Sequence, residues 1–154
     1  MARLEDCAEG MRKHLEELSC PSYENSPFIK GKPLNQSRLA VVSTAGIHHR
    51  DAKPFTFAPG DHYRVIPGDI QNKDIVMSHL SANFDRTGYQ QDLNVVFPLD
   101  RLREMLQKRE IGSLADFHYS FMGASDPAQF GDATHQVAGL LKKDGVDAVL
   151  LIPV

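Results

Sequence analysis

The chain has 154 residues, of which 42% are hydrophobic and 24% are charged, a balance typical of one folded globular domain. This composition excludes a disordered chain, a collagen and a coiled coil. Lys and Arg number 17 and Asp and Glu number 20, so the formal net charge is −3, which argues against a nucleic-acid or anionic-membrane surface. No stretch reaches the roughly 18 apolar residues of a membrane span, and the first residues lack the apolar core of a signal peptide, so we expect a cytoplasmic protein.

The first 37 residues predict a helix followed by an extended arm. Apolar residues from Leu4 to Leu18 recur at steps of three and four, which predicts a helix over residues 4–19 that Pro21 ends. Residues 20–37 are rich in proline and lack periodicity, as is typical of an extended segment. We therefore divide the chain into a helix and arm over residues 1–37 and an α/β domain over residues 38–154.

Residues 38–154 alternate predicted strands with predicted helices. Strands are predicted over residues 39–42, 63–66, 75–77, 93–97 and 146–152, and helices over residues 98–109 and 126–145. This alternation predicts an α/β fold with an open, mostly parallel, doubly wound sheet of the Rossmann or flavodoxin-like type, which binds ligands at the carboxyl ends of its strands. Because the chain ends just after its last strand, we expect this sheet to be incomplete at the carboxyl end.

The last predicted strand, VDAVLLI, is nearly continuous in apolar residues. Such a run is typical of a parallel strand that is covered on both faces. If it were left uncovered, a long apolar edge would invite another chain, so the sequence also predicts self-association and a homo-oligomer.

Five blocks of the sequence carry a resemblance to a known family. They read GIHHRDAKPF, GDHYRVIP, MSHLSANFDRTGYQQDLNVVFPLDRLRE, IGSLADFHYSFMG and DGVDAVLLIPV. Together they resemble the selenoprotein B family of glycine/sarcosine/betaine reductase and D-proline reductase over most of residues 38–154. Members of that family continue after the equivalent of LLIPV with a selenocysteine or cysteine, two spacer residues and a second cysteine. This chain ends at Val154, and because UGA encodes selenocysteine, we expect that UGA was read there as a stop.

The resemblance implies reductive cleavage of a carbon–nitrogen bond in a small amino acid or amine, such as glycine, betaine, sarcosine or D-proline. A selenol or thiol is the nucleophile in that reaction, and a neighbouring thiol resolves the adduct. No cofactor is expected in this chain, whereas the complete protein is expected to carry the selenocysteine or cysteine pair. The implied partners are a thioredoxin-like protein or small dithiol as reductant and companion reductase subunits. The 154-residue form should therefore be inactive.

Three histidines are the candidate proton donors, because imidazole titrates near neutral pH. His48 follows the turn at the end of the first core strand and His79 follows strand 75–77, so both are expected at the carboxyl edge of the sheet. His118 is followed by Tyr119 and Ser120, which are candidates to line the same substrate pocket. The alternative for each histidine is a structural role, as a loop cap or as a half-buried strand residue.

Four further residues are candidates for substrate binding. Arg64 has the geometry to clamp a carboxylate, and Asp85 and Asp92 flank a polar loop where they can meet an ammonium group or orient a histidine. Asn94 stands at the start of a predicted strand. The alternatives are that the aspartates cap turns, that Asn94 binds backbone groups and that Arg64 is an exposed strand residue.

Two other functions remain open. The first is a non-catalytic module of the same fold that binds a small molecule or assists assembly. The second is a hydrolase that uses His48, His79 and His118 as zinc ligands, but no metal-ligand spacing supports it, so no metal is predicted. Cys7 is expected to be buried on the first helix and Cys20 to be exposed in the arm, without a disulfide between them.

Overall fold

A computed structural model describes residues 3–17, 22, 24–26, 28–81 and 84–154. By its internal contacts the chain divides into two units, Met1–Lys30 and Gly31–Val154. None of the helices in the described part of the chain combines the length and the apolar character that crossing a bilayer requires.

The first unit contains a short 3-10 helix, Leu4–Asp6, and the helix α1, Glu9–Glu16. The helix predicted over residues 4–19 is therefore interrupted, because the backbone is extended at Cys7. Cys7 is half-buried and α1 buries none of its residues, so the expected burial of this cysteine is wrong. The end of the predicted helix and Cys20 lie outside the described residues.

The second unit is an α/β fold built on a mostly parallel sheet, which confirms the predicted class. Its strands are β1 (Arg38–Ser43), β2 (Ile47–His49), β3 (Tyr63–Pro67), β4 (Ile75–Met77), β5 (Ser113–Leu114), β6 (Phe117–Phe121) and β7 (Ala148–Ile152). Its helices are α2 (Thr87–Gln91), α3 (Leu99–Gln107) and α4 (Gly131–Lys143).

Strand β1 lies at the centre of the main sheet. It pairs in parallel with β7 on one side and with β5 and β6 on the other, and β3 pairs antiparallel with β6. Strands β5 and β6 follow each other along β1 and are separated only by Ala115 and Asp116. Strands β2 and β4 form a separate antiparallel ladder. The carboxyl ends of β1, β6 and β7 therefore meet at one edge of the sheet.

The two faces of the sheet are covered by different helices. Side chains alternate along a strand, so Leu39 and Val41 of β1 face one apolar cluster and Val42 faces the other. The first cluster takes Leu99 and Leu102 from α3, and the second takes Ala133 and Val137 from α4. Each fully buried aliphatic side chain contributes roughly 1.5–3 kcal/mol, and this burial holds both helices against the sheet. Both faces are thus occupied, as in a doubly wound fold.

The predicted strand over residues 93–97 is wrong, because this segment begins with a 3-10 helix, Leu93–Val95. The Asp92 carboxylate accepts a hydrogen bond from the Asn94 N–H at 2.9 Å, which bends the chain where the strand was expected to begin. Leu93, Val96 and Phe97 are nevertheless buried, so the apolar pattern reports burial correctly and strand geometry incorrectly.

Strand β7 is an edge strand, which within the described residues pairs only with β1. Leu151 is 63% exposed, and Val149 and Leu150 are each more than a third exposed. The prediction that this strand is covered on both faces is therefore wrong for the described residues. The sequence of an apolar strand does not show whether its own chain or another protein covers it. Self-association through this edge stays a prediction.

Candidate active site

The carboxyl ends of β1, β6 and β7 meet around Thr44, Gly123 and Val154. Thr44 Oγ1 accepts a hydrogen bond from the Val154 N–H at 2.8 Å and donates one to the Val154 carbonyl at 3.2 Å. The Thr44 carbonyl accepts the Gly123 N–H at 2.9 Å. A Cβ at Gly123 would lie 2.7 Å from the Thr44 carbonyl oxygen and 2.9 Å from that of Val154, so the close approach requires glycine. The end of β7 is thus held beside the loop that leaves β6.

A cavity of about 240 Å³ opens next to this loop. Its walls are residues 56–58 and 61–62, which precede β3, together with residues 124–126 and 129, which lie between β6 and α4. The wall residue Ala124 directly follows Gly123, so the cavity borders the end of β7. Open α/β sheets bind their ligands at this edge, which makes the cavity the candidate site.

Arg64 supports the outer wall of the cavity. Its Nε and Nη2 groups donate hydrogen bonds to the carbonyls of Lys53 and Pro54 at 2.9 and 3.0 Å, and Nη1 lies 2.6 Å from Asp61 Oδ1. The guanidinium carbon also lies 4.2 Å from the centre of the Phe55 ring. The hydrogen bond from Arg64 holds the pKa of Asp61 far below its ordinary value. This arrangement commits the guanidinium to the loop, whereas the sequence left open a carboxylate clamp or an exposed strand residue.

Four polar side chains that line the cavity have hydrogen-bonding groups left over. One Asp126 carboxylate oxygen accepts the Ala128 N–H at 2.9 Å, and within the described residues the other accepts no hydrogen bond. The side chains of His62, Ser125 and Gln129 make no hydrogen bond to any described residue. These groups converge on the cavity and are available to a ligand.

The sequence analysis missed these four residues, because the two segments that carry them are about sixty positions apart and meet only in the folded chain. The one signal was the Asp-Pro pair at residues 126–127, which correctly predicts a helix cap. A capping residue was not expected to serve a ligand as well.

Of the three candidate histidines, His79 lies next to the carboxyl edge. A Cβ at Gly46, two residues after Thr44, would come within 3.1 Å of the His79 Cα. The next residue, Leu80, donates its N–H to the sulfur of Met122 at 3.4 Å. His79 is therefore held against the same ends of β1 and β6 that border the cavity.

The His79 ring is buried and only partly hydrogen-bonded. Its exposed fraction is 6%, Nδ1 accepts the Ser81 N–H at 3.2 Å and Nε2 has no hydrogen-bond partner within the described residues. The Phe84 ring lies 4.6 Å away between centroids. Burial and the nearby Arg86 cation lower the pKa of His79 below its ordinary value, so the ring is neutral near pH 7. Because Nδ1 accepts a hydrogen bond, the proton resides on Nε2.

His48 lies in the small ladder, opposite Val76 of β4. Its Nδ1 lies 2.8 Å from the carbonyl oxygen of His49, and its ring stands edge-on to Phe55 with centroids 6.4 Å apart. It is 3% exposed and does not line the cavity. This placement matches the loop-capping alternative more closely than the proton-donor role.

His118 and Ser120 hydrogen-bond the backbone in the interior of the sheet. His118 Nδ1 accepts the Val41 N–H at 3.1 Å, beside the break between β5 and β6, and Ser120 Oγ accepts the Ile47 N–H at 2.9 Å. Burial, and to a smaller extent nearby cations, lower the pKa of His118 to about 4, so its ring is neutral at pH 7. Tyr119 is 2% exposed and packs in the apolar cluster with α4. None of the three lines the cavity.

The remaining candidates cap local structure. Asp85 accepts the Thr87 N–H at 2.9 Å, and Asp92 accepts both the N–H and the side-chain amide of Asn94. Asn94 in turn accepts the N–H of Asp100, in the first turn of α3, at 3.2 Å. These contacts agree with the capping alternatives, and the three residues do not line the cavity.

Zinc binding by the three histidines has no structural support. The described residues contain no group of three or more His, Cys, Asp or Glu side chains placed to hold a metal ion. The His118 nitrogen that faces β1 is already bonded to the Val41 N–H. The hydrolase alternative therefore loses the ligand set on which it depended.

An open cavity at the carboxyl edge of a parallel sheet is a feature that many enzymes and binding proteins for small molecules share. The comparison with known families is more specific. The chain belongs to the glycine/sarcosine/betaine reductase selenoprotein B family, whose model matches residues 11–153. The resemblance found from the sequence blocks is thus confirmed.

Curated relatives are subunits of three reductases. The D-proline reductase subunit gamma of Acetoanaerobium sticklandii is 37% identical over 122 residues, which cover 78% of this chain and 50% of that protein. The glycine reductase complex component B subunit gamma of Carboxydothermus hydrogenoformans is 31% identical over 88% of this chain and 32% of its own length. The betaine reductase complex component B subunit beta of Peptoclostridium acidaminophilum is 29% identical over 78% and 28%. The chain thus spans half or less of the length of these relatives, and no solved structure is significantly similar to it.

Proposed function

We propose that this chain is a component of a reductase that cleaves the carbon–nitrogen bond of a small amino acid or amine. Family membership and the subunit names of the relatives support a reductase-related role. The observation that carries the proposal is local. The end of β7, the Thr44 contacts with Val154 and the cavity lie side by side at the edge where such folds bind ligands.

In this proposal a selenocysteine or cysteine that follows Val154 in the complete protein supplies the nucleophile, and a second thiol restores it with electrons from a dithiol reductant. The residues of this chain orient that position. Thr44 fixes both main-chain groups of Val154, and Gly123 allows the two segments to approach closely. A residue after Val154 would consequently start beside the cavity wall.

His79 is the candidate proton donor for the departing amine. Its ring is neutral, its Nε2 proton is unused, and its backbone is held against the ends of β1 and β6. His118 also has an Nε2 without a partner among the described residues, but it lies near the amino end of β6, and His48 lies in the small ladder of β2 and β4. The Nε2–H of the neutral His79 ring can donate a hydrogen bond to the departing amine, and an imidazolium formed there would be a stronger acid than a solvated one because burial lowers its pKa.

The proposed partners follow from the chemistry. A dithiol or thioredoxin-like reductant is required, and companion subunits are proposed because the relatives are named as parts of multi-subunit reductases. A cytoplasmic location is part of the proposal, because cytosolic thiol systems keep such pairs reduced.

The test compares the 154-residue chain with the same chain extended past Val154 by Cys-x-x-Cys, and with a Ser-x-x-Ser extension as the matched control. Each protein is assayed for release of the amine product from glycine, sarcosine and betaine, and for ring opening of D-proline, with dithiothreitol and companion subunits. We expect thiol-dependent turnover of one substrate only with the cysteine extension. Turnover by the 154-residue chain would contradict the position of the nucleophile. Ligand binding without turnover by any form would favour the non-catalytic module.

A further inference from the structure

We infer that Arg86 is a positioning residue for His79, because its guanidinium fixes the His79 ring in the orientation and the neutral Nε2–H form that donation to a departing amine requires. The inference rests on the proposed function, which makes His79 the candidate proton donor. It goes beyond that function because it assigns a role to Arg86, which does not line the cavity and was not a candidate site residue.

The Arg86 guanidinium binds three main-chain carbonyls of the segment that carries His79. Its Nη2 group donates to the carbonyl of His79 itself at 2.6 Å and to that of Ser81 at 3.2 Å, and its Nη1 group donates to that of Phe84 at 3.4 Å. Arg86 is half-buried and directly precedes α2. Because the guanidinium is planar and its donors have fixed directions, one side chain determines how the backbone turns after His79.

The turn that Arg86 holds sets the position of the proton on the His79 ring. The Ser81 N–H donates to His79 Nδ1 at 3.2 Å, and the Ser81 carbonyl accepts from Arg86. Because Nδ1 is the acceptor, the ring proton stays on Nε2, which has no partner among the described residues. Without the guanidinium, Ser81 loses one of the contacts that orient it, and the proton can then move to Nδ1.

The charge of Arg86 acts on the same ring. The centroid of the Phe84 ring lies 4.6 Å from that of His79 and 5.9 Å from the guanidinium carbon of Arg86. Arg86 forms no ion pair with a carboxylate of the described residues, and the adjacent Asp85 accepts the Thr87 N–H instead. The cation is therefore not neutralised nearby. Burial, and in addition repulsion by this cation, lower the pKa of His79 and keep the ring neutral.

The alternative is a purely structural role, in which Arg86 only closes the turn that follows β4. Replacing Arg86 would lower the free energy of unfolding in either case, because three carbonyls lose a charged donor. Only a positioning role also changes where the His79 ring carries its proton and at which pH it takes up a second one. These two properties of the ring therefore decide between the roles.

The test observes the ring proton directly in the 154-residue chain. The ring nitrogens of nitrogen-15-labelled histidine are followed by two-dimensional NMR over the pH range in which imidazole titrates, and the His79 signals are assigned by their loss in His79→Gln. In the unsubstituted chain we expect the Nε2–H form. Arg86→Gln should raise the fraction of the Nδ1–H form at least threefold and raise the pKa of His79 toward its ordinary value.

Two further variants separate the charge from the hydrogen-bond geometry. Arg86→Lys keeps the charge but loses the planar group, so the pKa of His79 should stay lowered while the Nδ1–H fraction increases. Arg101→Gln, at an exposed arginine of α3, is the matched control and should change neither property. Urea denaturation checks that each variant is folded. The inference is overturned if folded Arg86→Gln leaves both properties of the His79 ring unchanged. If Arg86→Gln does not fold, the Nδ1–H fraction in Arg86→Lys decides in the same way.

The two proposals fail separately. In the cysteine-extended chain Arg86→Gln should lower kcat at least tenfold and change KM less than twofold, and an unchanged kcat would also overturn the inference. If the extended chain turns over a substrate but the His79 signals do not respond to Arg86, the positioning role is wrong and the reductase proposal stands. If the signals respond but no form of the chain with its companion subunits gives turnover, the reductase proposal is wrong, and Arg86 still controls the His79 proton.

Discussion

The amino and carboxyl ends of the main sheet use their polar side chains differently. At the amino end the Arg38 guanidinium donates to Asp144 and to the Leu114 carbonyl, and Asp144 also accepts the N–H groups of Asp116 and Phe117. Burial raises the pKa of Asp144, but the Arg38 hydrogen bond and the two N–H groups outweigh it and leave the pKa below its ordinary value. The charged side chains of Arg38 and Asp144 are thus hydrogen-bonded to other groups of the chain.

At the carboxyl end several polar groups have no hydrogen-bond partner among the described residues. One oxygen of Asp126 and the side chains of His62, Ser125 and Gln129 border a cavity without bonding to any described residue. The contrast teaches that the charged residues at the amino end join helix, strand and loop, while four polar side chains at the carboxyl end keep groups that are available to a ligand. Substitutions should accordingly change stability at one end and binding at the other.

The largest loss of stability is expected for His118→Ala, near the amino end of β6. The change leaves the Val41 N–H without its acceptor and opens a cavity at a fully buried position, which together cost about 4 kcal/mol. Urea denaturation monitored by circular dichroism measures the free energy of unfolding. His118→Gln, which can present an oxygen to the same N–H, should recover part of the loss. A cost below about 1 kcal/mol for the alanine variant would show that this bond is dispensable.

The next effect is the dependence of stability on pH. The pKa of His118 is about 4 in the folded protein and 6.5 in the unfolded chain, so the unfolded state binds more protons between these values. Stability is therefore complete above pH 6.5 and falls by up to about 3 kcal/mol as the pH drops to 4. His79, whose pKa is also lowered, adds to the loss in the same direction. His118→Gln should show a clearly shallower slope in this window, and an unchanged slope would contradict the assignment.

Asp144→Ala tests the ion pair and the loop contacts at the amino end directly. The variant removes an acceptor for Arg38 and for two backbone N–H groups, and we expect a loss of roughly 2–3 kcal/mol in the free energy of unfolding. Glu110→Ala is the control, because this exposed side chain makes no hydrogen bond or ion pair to a described residue, and the variant should change stability by less than about 0.5 kcal/mol. If both variants behave alike, the network does not stabilise the sheet.

The smallest effect on stability is expected at the carboxyl end. Ser125→Ala removes a hydroxyl that bonds to no described residue, and Asp126→Asn keeps an oxygen that can cap the helix. Each variant should therefore change the free energy of unfolding by less than about 0.5 kcal/mol. The same denaturation assay applies. A loss of unfolding free energy as large as that of Asp144→Ala would show that the polar groups at both ends of the sheet contribute equally to stability.

Much of the fold could be read from the sequence because apolar runs and capping residues are local signals. The strands β3 and β4 and the helices α3 and α4 lie close to their predicted ranges. The segment at residues 93–97 was mistaken for a strand, because a single carboxylate at Asp92 outweighs the preference of the apolar residues. The exposure of β7 is likewise not encoded in its composition.

The site was harder to predict than the fold. Arg64, Asp92 and His118 have the right chemistry for a substrate, but each uses it to hold the backbone of this chain. A polar residue at the end of a strand looks the same in sequence whether its partner is a main-chain group or a ligand. The cavity depends on two loops that come together only through the pairing of β3 with β6, and no local pattern reports that meeting.

The hydrogen bond between Val41 and His118 provides a built-in reporter. In this sheet the Val41 amide hydrogen points at an aromatic nitrogen instead of an oxygen. When that nitrogen takes up a proton, the bond is lost and the chemical shift of the amide changes. A single backbone resonance in a nitrogen-15 spectrum would therefore register the charge on a ring that no solvent molecule touches.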